Sequence, residues 1–155
     1  MTKKPVLFIV EDDETFNKML SSYFTSKHKW EVHSFLTGEE SLKDLYLKPV
    51  VWLQDFELPG MNGIQVMKKV KKELPQTEFI FLSGQGSIQV AVETLKEGAF
   101  DYVIKDSSSK ENALNKVDQV MYIKRLETNR KSIKLSFIVV SVCYILSWLI
   151  YFLIK

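Results

Sequence analysis

The stretch VVWLQDFELPGMNG, residues 50–63, joins an apolar run to a carboxylate and then to a tight turn. Residues 50–53 are all apolar, Gln54 follows, and the run ends on Asp55. A short, continuously apolar run predicts a strand that is buried on both faces. A carboxylate at the end of such a strand lies where the sheet meets solvent or a ligand. Pro59 and Gly63 then predict a sharply turned loop beside it.

Five such runs alternate with helical patterns along the first 126 residues. The predicted strands are VLFIV (6–10), WEVHSF (30–35), VVWL (50–53), FIFL (79–82) and DYVI (101–104). Strands that alternate with helices through short connections predict a doubly wound five-stranded parallel sheet, an α/β fold. Ligand sites of such sheets lie at the carboxyl ends of the strands.

Apolar residues at helical spacing mark the predicted helices. The second helix is expected to turn Leu42, Leu45 and Tyr46 inward. The fourth is marked by Ile88, Ala91, Val92 and Leu95, and the fifth by an apolar stripe that extends to Leu126.

Charged and polar residues follow four of the strands. They are Glu11 and Asp12 after the first, Asp55 after the third, Ser83 after the fourth and Lys105 after the fifth. Three carboxylates at one edge repel one another unless a cation is present, and Mg²⁺ prefers oxygen ligands and retains several waters. Asp55 is then suited to act as a nucleophile that forms an acyl phosphate, while Mg²⁺ and Lys105 neutralise charge on the phosphoryl group. Asp13 is assigned instead to the N-cap of the first helix.

The segments VEDDE, WLQDFELPGMNG, FLSGQGS and GAFDYVIK together resemble the receiver domain of two-component response regulators, over about residues 5–126. The resemblance implies the flavodoxin-like receiver fold, with Asp55 as phosphoacceptor. It implies that Asp12 and Asp55 bind Mg²⁺ directly, that Glu57 binds it through its backbone carbonyl, and that Glu11 is the indirect member of the acidic pair. It also implies that Lys105 is the site lysine. Ser83 would be the switch hydroxyl and Tyr102 the switch aromatic. Phosphorylation would rearrange the face of helix 4, strand 5 and helix 5, through which two copies could dimerise.

Two residues depart from the family pattern. Asp106 stands where the family usually has a proline, often in a cis peptide bond, and a cis bond before a non-proline residue costs about 2.5–4 kcal/mol. Gly84 replaces the commoner alanine after the switch hydroxyl. These departures leave open a second hypothesis, a membrane-tethered scaffold or interaction module with a receiver fold that is not phosphorylated. A small-molecule aspartyl-phosphate phosphatase is a third, disfavoured because Glu57 is a poor match to its second acid.

The C-terminal segment predicts a membrane anchor. Residues 135–154 contain no charged residue, and twenty residues of helix span about 30 Å, the thickness of a bilayer core. A basic linker, residues 127–134, precedes the span. Lysine and arginine are enriched before the span and only Lys155 follows it, so the receiver domain, residues 1–126, is expected in the cytoplasm.

The function expected from these features is that of a membrane-anchored, stand-alone response regulator receiver. It would accept a phosphoryl group from a histidine kinase or histidine phosphotransfer protein and act on an unknown output protein. Residues 1–109 carry a net charge of −3 and residues 110–155 one of +5. An acidic body argues against nucleic-acid binding. Apart from its own phosphorylation and dephosphorylation, the chain is not expected to be an enzyme.

Overall fold

Five short parallel strands form the sheet at the centre of the protein. The computed structural model describes residues 3–84 and 88–154. The strands are β1 (Val6–Val10), β2 (Glu31–Phe35), β3 (Val51–Asp55), β4 (Glu78–Ser83) and β5 (Asp101–Ile104), in the order β2-β1-β3-β4-β5. All four pairings are parallel, which confirms the predicted doubly wound α/β sheet. The order reverses between β1 and β3, where parallel sheets of this kind bind ligands.

The helices follow the strands in turn. They are α1 (Glu14–Ser26), α2 (Gly38–Lys43), α3 (Gly63–Glu73), α4 (Ile88–Lys96) and α5 (Ser109–Ile154), and a 3₁₀ turn spans Leu45–Leu47. Side chains of successive strand residues point to opposite faces of a sheet. One face therefore buries Phe8, Trp52 and Phe79 against α3, where the Trp52 and Phe79 rings stack 5.1 Å apart. Strands β1, β3 and β4 are buried almost throughout, as their continuous apolar runs predict, whereas the edge strands β2 and β5 are mostly half-buried.

Polar side chains begin helices α1 and α3, as Thr37 does for α2. Asp13 is the N-cap of α1 and accepts hydrogen bonds from the backbone N–H groups of Thr15 and Phe16, as the sequence predicts. Asn62 and Gln65 form a capping box at the start of α3. Each cap satisfies backbone donors that a helix end leaves without an intrahelical partner. Helices α1 and α3 therefore start at defined residues beside the carboxyl ends of β1 and β3.

The prediction that the second helix turns Tyr46 inward is wrong. Helix α2 ends at Lys43, and the chain continues into the 3₁₀ turn, so the 3.6-residue period that was expected to turn Tyr46 inward does not continue. Tyr46 is 72% exposed. Lys48 ends the turn with a left-handed backbone, at φ 53°.

Two other apolar patterns predict helices correctly but not what those helices bury. In α4, the side chains of Ile88, Val92 and Leu95 are exposed. In α5, Val117 and Val120 are buried, whereas Leu126 is exposed. A stripe at helical spacing reports an amphipathic helix, and tertiary packing decides which part of the stripe is covered.

The chain divides into two units, Met1–Val120 and Met121–Lys155, and each is described by itself. The second unit is the remainder of α5. Within the described residues, α5 is the one helix that is long and apolar enough to cross a membrane, by length and composition. None of the residues in the most apolar 18-residue stretch of α5 is buried. The hydroxyls of Ser136 and Ser141 donate to the backbone carbonyls of Ser132 and Phe137, so neither needs water.

Gly63 allows the close approach of α3 to β3. A Cβ at this position would overlap the backbone carbonyl oxygen of Asp55 and lie 2.8 Å from the Phe81 ring. We expect Gly63→Ala to lower the free energy of unfolding by about 1–3 kcal/mol, because a backbone atom and a buried ring would have to move. Urea unfolding measures this. Gly84→Ala is the matched control: no described atom lies within 4 Å of its Cβ, and an equal loss in both variants would contradict the explanation.

Candidate functional site

The sheet order brings the predicted site residues to one edge. Asp55 is the last residue of β3 and Ser83 the last of β4, whereas Glu11 and Lys105 directly follow β1 and β5. Strands β1, β3, β4 and β5 are consecutive neighbours in the sheet. In the register, Asp55 pairs with Leu82 and Ser83 with Ile104. Four chain segments that are distant in sequence therefore end side by side.

Lys105 lies between two buried carboxylates. Its Nζ is 2.7 Å from Glu11 Oε1, 2.7 Å from Glu11 Oε2 and 2.8 Å from Asp55 Oδ2. Its backbone N–H donates to the carbonyl oxygen of Ser83 at 2.8 Å. No peptide bond among the described residues is cis, so the bond between Lys105 and Asp106 is trans. Aspartate in place of the family's proline thus leaves the lysine side chain among the carboxylates.

Glu11, Asp12 and Asp55 form a group that could hold a cation. One carboxylate oxygen from each lies within 4.8 Å of the others; Glu11 and Asp55 are buried, and Asp12 is exposed. Glu11 Oε2 is in ion contact with Lys105 but accepts no hydrogen bond from any described residue. A hard cation with oxygen ligands and bound waters fits this group of donors.

Burial and mutual repulsion change the pKa values of the site. Burial raises the pKa of Glu11 to about 7, with the Asp55 charge adding to the increase and Lys105 opposing it. Burial likewise raises the pKa of Asp55, again opposed by the hydrogen bond from Lys105. For Lys105 burial disfavours the ammonium, but the hydrogen bonds to Asp55 and Glu11 outweigh it and the pKa rises. One ammonium is therefore shared by two carboxylates that are both poorly solvated.

Two further side chains and one backbone N–H hold Glu11 and Asp55 in place. Asn17 donates to the carbonyl oxygens of Glu11 and Phe35, at 3.0 and 2.8 Å, and so fixes the turn after β1. Gln54 accepts from the Trp52 indole and donates to the carbonyl oxygen of Asp55 at 2.9 Å. The backbone N–H of Glu57 donates to Asp55 Oδ1 at 3.3 Å.

Sequence reasoning did not find Asn17 and Gln54. Asn17 shares the buried face of α1 with Leu20 and Phe24, and Gln54 interrupts the buried strand β3. A polar residue at a position that the apolar pattern assigns to the core is the signal that could have found them.

Ser83 and Tyr102 lie on the last two strands. Ser83 is 2% exposed, and Tyr102 is half-buried and packs against the apolar core on β5. The backbone of Tyr102 pairs with Phe81 in the register. The structure therefore places both predicted switch residues on the β4–β5 pair, next to Lys105.

The fold and this site define a class of protein: a doubly wound receiver sheet with an acidic group and a lysine at its carboxyl edge. The chain matches the family "Response regulator receiver domain" over residues 7–118. The chain belongs to the response regulator receiver domain family, as the sequence motifs predict.

Curated relatives from bacteria support this assignment. The chemotaxis protein CheY of Thermotoga maritima is 31% identical over 115 residues, which are 72% of this chain and 96% of that protein. The transcriptional regulatory protein CssR of Bacillus subtilis is 30% identical over 99 residues, which are 64% of this chain and 44% of that protein. The regulatory protein AtoC of Escherichia coli is 34% identical, and the chain spans 23% of its length. Many relatives thus contain long regions that this chain does not match.

Solved receiver structures agree with the fold. The BeF3-activated receiver domain of DrrB superimposes with a TM-score of 0.70 at 27% identity, covering 77% of this chain and 98% of that one. A CheY-like receiver protein from Methanospirillum hungatei gives a TM-score of 0.72 at 24% identity, covering 81% and 99% of the two chains, and supports the fold alone. Receiver domains are signalling modules of two-component systems that bind Mg²⁺ at an acidic pocket.

The raised pKa of Glu11 predicts a pH dependence of stability without Mg²⁺. Since its pKa is about 7 in the fold against an ordinary 4.5, folding favours the protonated form. This contribution is complete below pH 4.5 and is lost as the pH rises to about 7. We expect Glu11→Gln to gain stability relative to the parent across this window, measured by urea unfolding at a series of pH values. Glu14→Gln, which changes an exposed carboxylate, should show no such trend; the same trend in both would contradict the assignment.

Proposed function

We propose that this chain is a membrane-anchored response regulator receiver in which Asp55 accepts a phosphoryl group from a histidine kinase or a histidine phosphotransfer protein. The observation that carries the proposal is the position of Asp55. Its buried carboxylate lies 2.8 Å from the Lys105 ammonium and beside two further carboxylates. Membership of the receiver family supports the same chemistry.

The residues of the site have distinct roles in this proposal. A carboxylate oxygen of Asp55 attacks the phosphorus atom; the new P–O bond forms as the P–N bond to the kinase histidine breaks, and the imidazole leaves. Lys105 and the Ser83 hydroxyl bind the phosphoryl oxygens. Asp12, Asp55 and the backbone carbonyl of Glu57 would hold Mg²⁺, with Glu11 acting indirectly. Mg²⁺ bound there would neutralise charge on the phosphoryl group.

The signal would leave the site through the β4–β5 side of the sheet. The Ser83 hydroxyl moves toward the phosphoryl group and the Tyr102 ring moves inward, which changes the face of α4, β5 and α5. Exposed apolar side chains on this face, Val92, Leu95 and Ile104, support its use by an output protein or a second copy of the chain.

The alternative of a scaffold that is never phosphorylated rested on Asp106. The contacts of Lys105 with Glu11 and Asp55 argue against this alternative, because the substitution has not displaced the lysine.

The expectation that no output domain accompanies the receiver stays a prediction, and the mass of the protein isolated from its own cells tests it.

Membrane anchoring is supported by the exposed apolar part of α5. Leu135, Phe137 and Val140 are more than half exposed, and burying such side chains in a bilayer would remove them from water. The excess of lysine and arginine before residue 135 supports a cytoplasmic receiver domain and a C-terminal single-pass anchor.

Phosphorylation is tested on the full chain in detergent micelles. With Mg²⁺ and acetyl phosphate, we expect the intact mass to increase by one phosphoryl group, and the increase to disappear when Mg²⁺ is chelated. Asp55→Asn should show no increase, because the nucleophile is removed. Asp13→Asn is the matched control: it makes the same substitution directly next to the acidic group, keeps a good N-cap and should be phosphorylated like the parent. Absence of phosphorylation in folded parent protein would favour the scaffold.

Anchoring is tested by two charges placed in the apolar segment. An arginine in the centre of a membrane helix costs about 2.5–3.5 kcal/mol. We expect the parent to stay in the membrane pellet after alkaline carbonate extraction and Val140→Arg/Ile145→Arg to move to the supernatant. Thr128→Arg/Asn129→Arg adds the same charges before the segment and should stay in the pellet. Extraction of the parent itself would rule out an integral anchor.

A further inference from the structure

The edge of the sheet opposite the site is basic. All five strands run in the same direction, so the residues just before each strand, and those at the ends of the preceding helices, lie at the amino edge. Exposed lysines are concentrated here, and we call them the amino-edge lysines: Lys3, Lys4, Lys27, Lys29, Lys48 and Lys72. Asp44 and Glu73 lie at the same edge, and so do Glu31, Glu78, Glu97 and Asp101, so lysines predominate only beside β1, β2 and β3. The carboxyl edge is acidic, so the charges of the receiver unit are unevenly distributed between this basic side and the site.

Three of these lysines surround one shallow depression. Lys3, Lys4 and Lys48 line it together with Tyr46, Pro5 and Leu47. Tyr46 projects into solvent because the chain leaves α2 through the 3₁₀ turn. Lys48 occupies a left-handed backbone position, where glycine or asparagine is more usual. Lysine ammonium groups and an exposed tyrosine ring are the kinds of side chain that lie at the headgroup level of a bilayer.

The chain leaves the receiver unit at this same edge. Lys29, two residues before β2, forms an ion pair with Asp118 of α5 at 3.2 Å. Helix α5 begins at Ser109, beside Lys110 and only five residues after β5 ends at the carboxyl edge. Within this unit α5 therefore runs from the carboxyl edge toward the amino edge, where the unit ends at Val120. Only fourteen residues, 121–134, separate that point from the uncharged segment.

We propose that the amino-edge lysines bind an anionic lipid surface, so that the receiver rests on the membrane with its acidic edge directed away from it. This inference rests on the proposed function, since the anchor supplies the membrane. Fourteen residues span about 21 Å as a helix and at most about 50 Å when extended, so Val120 stays within about 50 Å of the uncharged segment.

Electrostatics favours this orientation over the opposite one. At physiological salt, charges interact over about 8 Å, so a lysine is attracted only when it is almost in contact with the headgroups. Because the connection is short, the lysines experience a high effective concentration of lipid headgroups. Several weak contacts between lysines and headgroups can therefore act together. The opposite orientation would bring Asp12, Glu57 and Asp106 to an anionic surface, which repels them.

The orientation has a consequence for phosphotransfer. A five-residue strand separates the two edges by about 17 Å. With the amino edge on the lipid, Asp55 and the acidic group face the cytoplasm, where the phosphohistidine of a partner can reach them. Anionic lipid would then be part of the mechanism that presents the site.

The test uses the full chain in two kinds of nanodisc, one of phosphatidylcholine alone and one of phosphatidylcholine mixed with phosphatidylglycerol. An uncharged acetylating reagent labels exposed lysines, and mass spectrometry gives the labelling rate of each. We expect Lys3, Lys4 and Lys48 to be labelled about fivefold more slowly in the anionic discs, the factor that corresponds to one lysine bound at such a surface. Lys18, which is exposed on α1 near the carboxyl edge, should label equally in both, and high salt should remove the difference.

Two charge-reversal variants complete the test. Lys3→Glu/Lys48→Glu should restore labelling of Lys29 and Lys72 to the rate in neutral discs, whereas Lys18→Glu/Lys110→Glu should retain the protection. Equal labelling in the two discs by a chain that co-elutes with them would overturn the docking and leave the anchor intact. A chain that does not co-elute with either disc would overturn the anchor and the docking together.

Discussion

The Lys105 ammonium lies between the buried carboxylates of Glu11 and Asp55, within 2.8 Å of both. Without it, two poorly solvated carboxylates would face each other, and removing one partner of a buried pair is strongly destabilising. This contact joins β1, β3 and β5, because each strand supplies or precedes one of the three residues. The order of the strands is therefore part of the site: β1, β3, β4 and β5 are consecutive in the sheet, and their carboxyl ends bring the lysine and the two carboxylates to one edge.

The direction of the strands divides the receiver's charge between two edges. Glu11, Asp12 and Asp55 lie at the carboxyl ends of β1 and β3, and Lys4, Lys29 and Lys48 precede β1, β2 and β3, so parallel strands place these two groups at opposite edges. Antiparallel strands would have mixed them. The acidic edge can hold a cation and a phosphoryl group, and the basic edge suits an anionic surface. The same topology thus supports both the chemistry and the proposed orientation at a membrane.

Most of the sheet and the site could be predicted from sequence, because both follow from a simple geometric rule. Apolar runs mark strands, and residues after parallel strands meet at one edge, which brings Glu11, Asp55 and Lys105 together. Tyr46 was predicted wrongly, because the sequence period does not show where an α-helix changes to a 3₁₀ turn. The hydrogen bonds of Asn17 and Gln54 depend on backbone carbonyls whose positions only the folded chain defines.

Asp106 shows how this chain holds the site lysine without the family's proline. The Asp106 N–H donates to the Ser109 hydroxyl at 3.1 Å, and its carboxylate accepts from the Ser108 N–H at 2.8 Å. The backbone of Lys105 is held in turn by Ser83. A proline would fix this turn through its ring, whereas here hydrogen bonds connect β5 to the first turn of α5. Hydrogen bonds can break and form again, so in this chain the turn between the site lysine and α5 is held by exchangeable contacts where the family has a proline ring.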